Sequence, residues 1–170
     1  MAGNSAQQFA NRMRIKARGL GEASNAMGAR AAFQAGKYLV KYTPIDTGQA
    51  KSNWQASRVS PRTRTRPAYA KGRYDSTEAQ NEAAAISQIL HECLARTKNQ
   101  QMFLTNNLPY ISKLESSYDT IKRKRPVPQS KYRSGFFRKA VQIAQHVLRD
   151  SRMFRDALKG KKISVSVEQF

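Results

Sequence analysis

The sequence predicts an α+β domain: a small antiparallel sheet packed against two or three helices, with long basic loops and an arm at each end. Three observations carry this. Apolar residues recur at spacings of three and four in several separated stretches, the pattern of one-sided helices. Short runs of strand character lie between them without a regular βαβ alternation, and no internal repeat is present, which favours α+β over α/β. With 170 residues, 39 % of them hydrophobic, the chain is long enough for one core and little more. The expected division is a basic N-terminal arm or short helix at 1–22, the domain proper at 23–150 with a mobile loop at 60–78, and a C-terminal arm at 151–170.

In residues 1–22, Phe9, Met13, Ala17 and Leu20 fall at helical spacing among Arg12, Arg14, Lys16 and Arg18, and Gly19 and Gly21 are expected to end the segment. Ser24 can cap a second helix. Its apolar face reads Met27, Ala31, Ala35 and Leu39, with Tyr38 and Tyr42 alongside, small enough to let another helix approach closely. Pro44 stops it, because the residue before a proline is pushed out of the helical region. Thr43-Pro44-Ile45-Asp46-Thr47-Gly48 is a tight turn by chemistry: proline sets φ, Asp46 can accept a backbone hydrogen bond, and Gly48 can take positive φ. Lys51 to Val59 alternates and predicts a strand with Trp54, Ala56 and Val59 on one side.

Residues 60–78 lack apolar periodicity and contain Pro61, Pro67 and Gly72, so a long flexible loop is expected. Ser76 or Thr77 can cap the helix that follows, with Glu78 and Glu82 suiting its positive end. Ile86, Ile89, Leu90, Cys93 and Leu94 make its apolar face. Residues 101–106 predict a short strand, and Pro109 opens a brief helix to Glu115. After a basic loop, Ser134 should cap the best helix of the chain, with Phe136, Phe137, Ala140, Val141, Ala144, Val147 and Leu148 as its stripe. Ile163, Val165 and Val167 alternate in the C-terminal arm and suit an edge strand or a pairing with another subunit.

Charge is the strongest compositional signal. Lys and Arg number 31 against 11 Asp and Glu, a net charge of +20. Self-repulsion of that size favours polyanionic neighbours, whether nucleic acid, an acidic protein surface or an anionic membrane. Two segments are nearly free of acids. One carries Arg58, Arg62, Arg64, Arg66, Lys71 and Arg73 with Tyr69 and Tyr74, and the other, from Lys122 to Lys139, carries Lys122, Arg123, Lys124, Arg125, Lys131, Arg133, Arg138 and Lys139. Such segments can contact phosphates without reading bases, or dock on acidic faces of neighbouring subunits. No helix-turn-helix, zinc or RNA-recognition signature accompanies them.

The chemistry of catalysis is not written in the chain. His91 and Cys93 diverge on one helix, the scattered acids form no carboxylate pair, and glycine-rich phosphate loops are missing. No metal, cofactor or catalytic residue is expected, and Cys93 reads as a small buried hydrophobe. Met1 to Arg18 has neither the apolar run nor the cleavage site of a signal peptide. No segment reaches the roughly 18 apolar residues of a membrane helix. The expectation is a chain folded in a reducing cytoplasm.

Tyr42-Thr43-Pro44-Ile45-Asp46-Thr47-Gly48, followed by Lys51-Ser52-Asn53-Trp54, resembles the hallmark of the tail-completion or neck protein family of tailed bacteriophages, which includes minor tail protein Z-like proteins. Asn106-Asn107-Leu108-Pro109-Tyr110-Ile111-Ser112-Lys113-Leu114-Glu115 resembles a second family segment, and the helix from Gly135-Phe136-Phe137 resembles its closing helix. The resemblance covers about residues 24–150. Two departures accompany it: Ser116-Ser117 where the family has a glycine, and a helix at 79–95 where many relatives are shorter.

The resemblance implies a virion subunit, made in the host cytoplasm and placed at the head–tail joint. It would form a ring, commonly hexameric, with other neck, connector and tail proteins as partners. Packaged DNA could be contacted without sequence preference. Thr43, Pro44, Asp46, Thr47 and Gly48 would set the corner, Trp54 would anchor the strand, Pro109 and Tyr110 would position the short helix, and Glu115 would pair with an arginine across a subunit contact. The alternative from charge alone is a free, non-specific DNA-binding packaging or condensation protein.

Overall fold

The computed structural model describes residues 3–44, 47–72, 74–95, 100–117, 135–150 and 152–159. Asp46, Arg73, Lys122 to Arg125, Ser134, the expected cap of the helix that begins at Phe136, and the alternating Ile163–Val167 run lie outside them.

The architecture is α+β and mostly helical. A 40-residue helix, α1 (Gly3–Tyr42), runs through the molecule. There follow α2 (Gln49–Ser52), β1 (Gln55–Ser57), a 3₁₀ turn at Tyr74–Thr77, α3 (Glu78–Leu94), β2 (Phe103–Thr105), α4 (Ile111–Ser117), α5 (Phe136–Arg149) and α6 (Arg152–Leu158). The two strands pair antiparallel, with Ala56 opposite Leu104. α1 packs against α3 and β2, and also against α5 and α6.

The expected break at Gly19–Gly21 is absent, so the N-terminal segment and the second helix are one element. Glycine inside a helix costs only about 1 kcal/mol relative to alanine. Propagation of a helix already anchored from Ala23 onward outweighs that small cost. Residues 7–18 are exposed, Gly19 to Gly21 are partly covered, and Ala23 onward is enclosed. From Ala23 to Val40 the burial is not confined to the predicted face: Ala23, Ala26, Ala29, Phe33 and Val40 are buried along with Met27, Ala31, Ala35 and Leu39. α1 is a central helix covered by other elements on more than one side.

A close approach occurs at Gly36, a residue outside the predicted face. A Cβ at Gly36 would stand 2.9 Å from Ile89 Cγ2 and 3.3 Å from Leu104 Cδ2, so this glycine admits both α3 and β2. The core gathers Phe33, Leu39, Val40, Trp54, Ile89 and Phe136, with Cys93 buried among them.

Three further expectations shift. The strand is shorter than predicted, because Lys51 and Ser52 belong to α2, and Val59 is 88 % exposed instead of sharing the side of Trp54 and Ala56. Thr77 is the N-cap residue of α3 but makes no side-chain cap bond; its hydroxyl accepts from Asn81 Nδ2 at 3.1 Å. α4 begins at Ile111, two residues past Pro109, which precedes the helix along with a 39 % exposed Tyr110.

Candidate functional site

The corner between α1 and β1 is held by a chain of hydrogen bonds that begins in the motif. The Thr43 hydroxyl donates to Leu39 O at 2.6 Å, closing the last turn of α1. The same oxygen accepts the Trp54 indole N–H at 2.7 Å. A buried indole needs an acceptor, and Thr43 supplies it while Pro44 ends the helix. Trp54 also meets Phe137 edge-on, with centroids 5.4 Å apart, which ties the corner to α5.

Gly48 is required twice over. Its φ is +77°, a conformation costly for a side chain. A Cβ there would also lie 2.3 Å from Asn81 Nδ2. Asn81 is fully buried and serves as a hub. Its Nδ2 donates to Ala70 O and Thr77 O, and its Oδ1 accepts from Ala70 N–H and the Ser52 hydroxyl.

Lys51, the basic residue of the motif, is buried. Its Nζ donates to Glu78 Oε1 at 2.9 Å, Glu82 Oε2 at 3.0 Å and Lys41 O at 3.0 Å, which uses all three protons. Glu78 and Glu82, expected only to suit the helix dipole, therefore bolt α3 to α2. A buried ion pair of this kind adds little net stability against an apolar replacement; breaking it by removing one partner would leave a buried charge uncompensated.

Amide side chains then organise the arginine segment. Asn53 brackets Arg66: its Nδ2 donates to Arg66 O at 2.7 Å and its Oδ1 accepts from Arg66 N–H at 2.8 Å. Asn81 brackets Ala70 in the same way. Gln55 Nε2 donates to Arg64 O at 3.0 Å, and Asn107 Nδ2 donates to Arg62 O at 2.5 Å. Gln88 brackets Ala56 on the edge of β1 away from β2, substituting for a third strand. The segment is irregular, as expected, yet its backbone at residues 62, 64, 66 and 70 is fastened to the body. The sequence reading of a flexible loop missed this, although Asn53, Gln55 and Asn81 are the signal that was available.

With these backbone groups bonded inward, Arg62, Arg64 and Lys71 stay exposed. The Arg66 guanidinium stacks over the Tyr69 ring at 4.3 Å. Arg58 does not belong with them: it is half-buried, its Nε bonds Glu92 at 2.9 Å, and its Nη1 donates to Ala95 O at the C-terminal end of α3. That is a helix-end contact, favoured by the dipole. Arg62 also leans on Glu92, at 3.9 Å. The outward set is therefore Arg62, Arg64, Arg66 and Lys71, on a fixed backbone.

Glu115 has a task within its own chain. Both carboxylate oxygens accept the Phe137 N–H at 3.1 Å, and Glu115 O accepts the Gly135 N–H. Gly135, at φ +78°, provides no side chain at the N-cap of α5, so the Glu115 carboxylate, 22 residues before the Phe137 N–H it accepts, takes that role. The motif glutamate satisfies a helix end inside its own subunit.

Among the described residues no three His, Cys, Asp or Glu side chains cluster to hold a metal, and no helix is long and apolar enough to cross a membrane. Comparison with family models, curated proteins and solved structures finds no match to this chain.

Proposed function

We propose that this chain is a structural subunit of the head–tail joint of a tailed bacteriophage. Copies would close into a ring, hexameric by the resemblance, that completes the tail or couples it to the head-side connector. The observation that carries the reading is the use made of the shared motifs. Thr43 and Trp54 bond each other, Gly48 lies under Asn81, and Glu115 caps α5, so these motif residues are spent on building a fixed corner. Such a corner suits a part whose work is to hold shape. The outward arginines on a fastened backbone are the surface that meets an anionic neighbour, either an acidic subunit face or the phosphates of passing DNA. A rigid display reduces the ordering cost of such a contact.

The test is the triple change Arg62→Ser, Arg64→Ser, Arg66→Ser. The bonds that hold this segment use backbone atoms of Arg62, Arg64 and Arg66, so the fold should survive, with an unchanged circular dichroism spectrum. Complementation of phage lacking the native protein should yield heads and tails that fail to join, visible by electron microscopy. Normal particles would remove the role given to the segment. The charge-only alternative, a free DNA-condensing protein, predicts duplex binding by the purified chain that falls steeply with salt and absence of the chain from purified virions.

A further inference from the structure

A second cationic site lies away from the arginine segment, in a groove of about 410 Å³ between α1 and α5. Arg30 and Gln34, one turn apart on α1, form one wall. Lys139, Gln142 and His146 on α5 form the other, and Ile143 and Val147 lie half-buried along it. Among the described residues no acid lines the groove.

Arg30 Nε is buried and has no hydrogen-bond partner among the described residues. Buried donors are nearly always satisfied, and an orphaned one calls for an explanation. The nearby acid does not supply it. Asp150 is bonded by Arg152 through Nε at 3.0 and 2.9 Å and through the backbone N–H at 3.0 Å. Those bonds hold its carboxyl well below the usual range, with the charge of Arg30 adding only a weaker pull.

We propose that this groove binds an acidic segment of a neighbouring protein, with a carboxylate on Arg30 and Lys139 and an adjacent apolar side chain on Ile143 and Val147. Arginine presents a planar fork that matches a carboxylate, and hydrogen bonds to charged partners are the strong ones. Gln34 and Gln142 add neutral donors and acceptors suited to main-chain amides. Nucleic acid fits less well. Packed helices stand about 8–10 Å apart, which admits a side chain but not a duplex, and a phosphodiester backbone has nothing apolar to set against Ile143 and Val147.

The inference uses nothing from the ring reading, and its test needs only the purified chain. Fluorescence anisotropy would compare a fluorescein-labelled peptide of alternating glutamate and leucine with a glutamate–serine peptide and with a single-stranded oligonucleotide of equal charge. The glutamate–leucine peptide should bind most tightly. Arg30→Gln and Lys139→Gln should each weaken it by about tenfold, the size of one lost charge-assisted bond. Arg30→Lys, which keeps the charge but not the fork, should weaken it too. Arg14→Gln removes the same charge about 24 Å away along α1 and should leave binding unchanged. Lys139 is exposed, so its variant carries the test if an Arg30 variant folds poorly. Binding as sensitive to Arg14→Gln as to Lys139→Gln would reduce the groove to general charge. Tighter, Lys139-dependent binding of the oligonucleotide would hand the site to nucleic acid. Either result overturns the proposal and leaves the particle-joining experiment to stand alone.

Discussion

Among the described residues, two stretches carry several arginines with no acid among them, and they differ in an instructive way. The segment from Arg62 to Lys71 has no regular structure, yet it is fastened to the body at residues 62, 64, 66 and 70. The first part of α1, with Arg12, Arg14 and Arg18, is regular helix, yet Phe9 and Ile15 on it are 61 % and 65 % exposed. Regular structure and attachment are separate properties. A helix satisfies its own backbone wherever it points. An irregular segment must find partners elsewhere, and here amide side chains provide them.

That contrast can be broken from its centre outward. The largest effect should come from Trp54→Ala, which removes the anchor shared by α1, β1 and α5. Unfolding should cost about 3–5 kcal/mol less, read from denaturant midpoints at unchanged m-value. Gly48→Ala comes next. The positive φ alone penalises a side chain by about 1–2 kcal/mol, and the collision with Asn81 adds to it; an unchanged melting temperature would mean that the corner rearranges freely. Asn53→Ala should cost about 1–3 kcal/mol by leaving Arg66 backbone groups unpaired. Its distinctive sign is local: the Arg66 amide, bonded to Asn53 Oδ1 in the unchanged chain, should exchange faster in the variant while the amides of α3 keep their rates. The smallest effect belongs to Phe9→Ser with Ile15→Ser, where exposed positions change stability by no more than about 0.5 kcal/mol each. A larger loss would show that the start of α1 is covered in solution.

How much of this was legible depends on distance along the chain. The turn chemistry of Pro44 and Gly48 is local, and α1 does end at Tyr42 while Gly48 does take positive φ. The α5 stripe was visible, although Val141 and Leu148 on it are left more than half exposed. Glycine read as a helix stop failed at Gly19 and Gly21, because a local penalty near 1 kcal/mol does not end a helix already formed and packed from Ala23 onward, which each further residue extends by one backbone hydrogen bond. The candidate site divided in the same way. The charge of the arginine segment was plain, but Arg58 left the set for Glu92, and the roles of Lys51, Asn81 and Glu115 depend on partners 22 to 31 residues away. The cationic groove around Arg30 joins residues more than 100 positions apart and left no mark in either segment alone.

The sequence by itself determined the helical periods, the proline–glycine corner, the excess of positive charge and the α+β class, since each follows from the conformational preference or charge of neighbouring residues. Tertiary structure alone decided that one helix runs unbroken from Gly3 to Tyr42, that the arginine segment is fastened, and that Glu115 caps a helix. The physical reason is that a buried polar group must be paired. Which partner it finds is settled by what the packed elements bring within hydrogen-bond reach, a distance that sequence order does not encode.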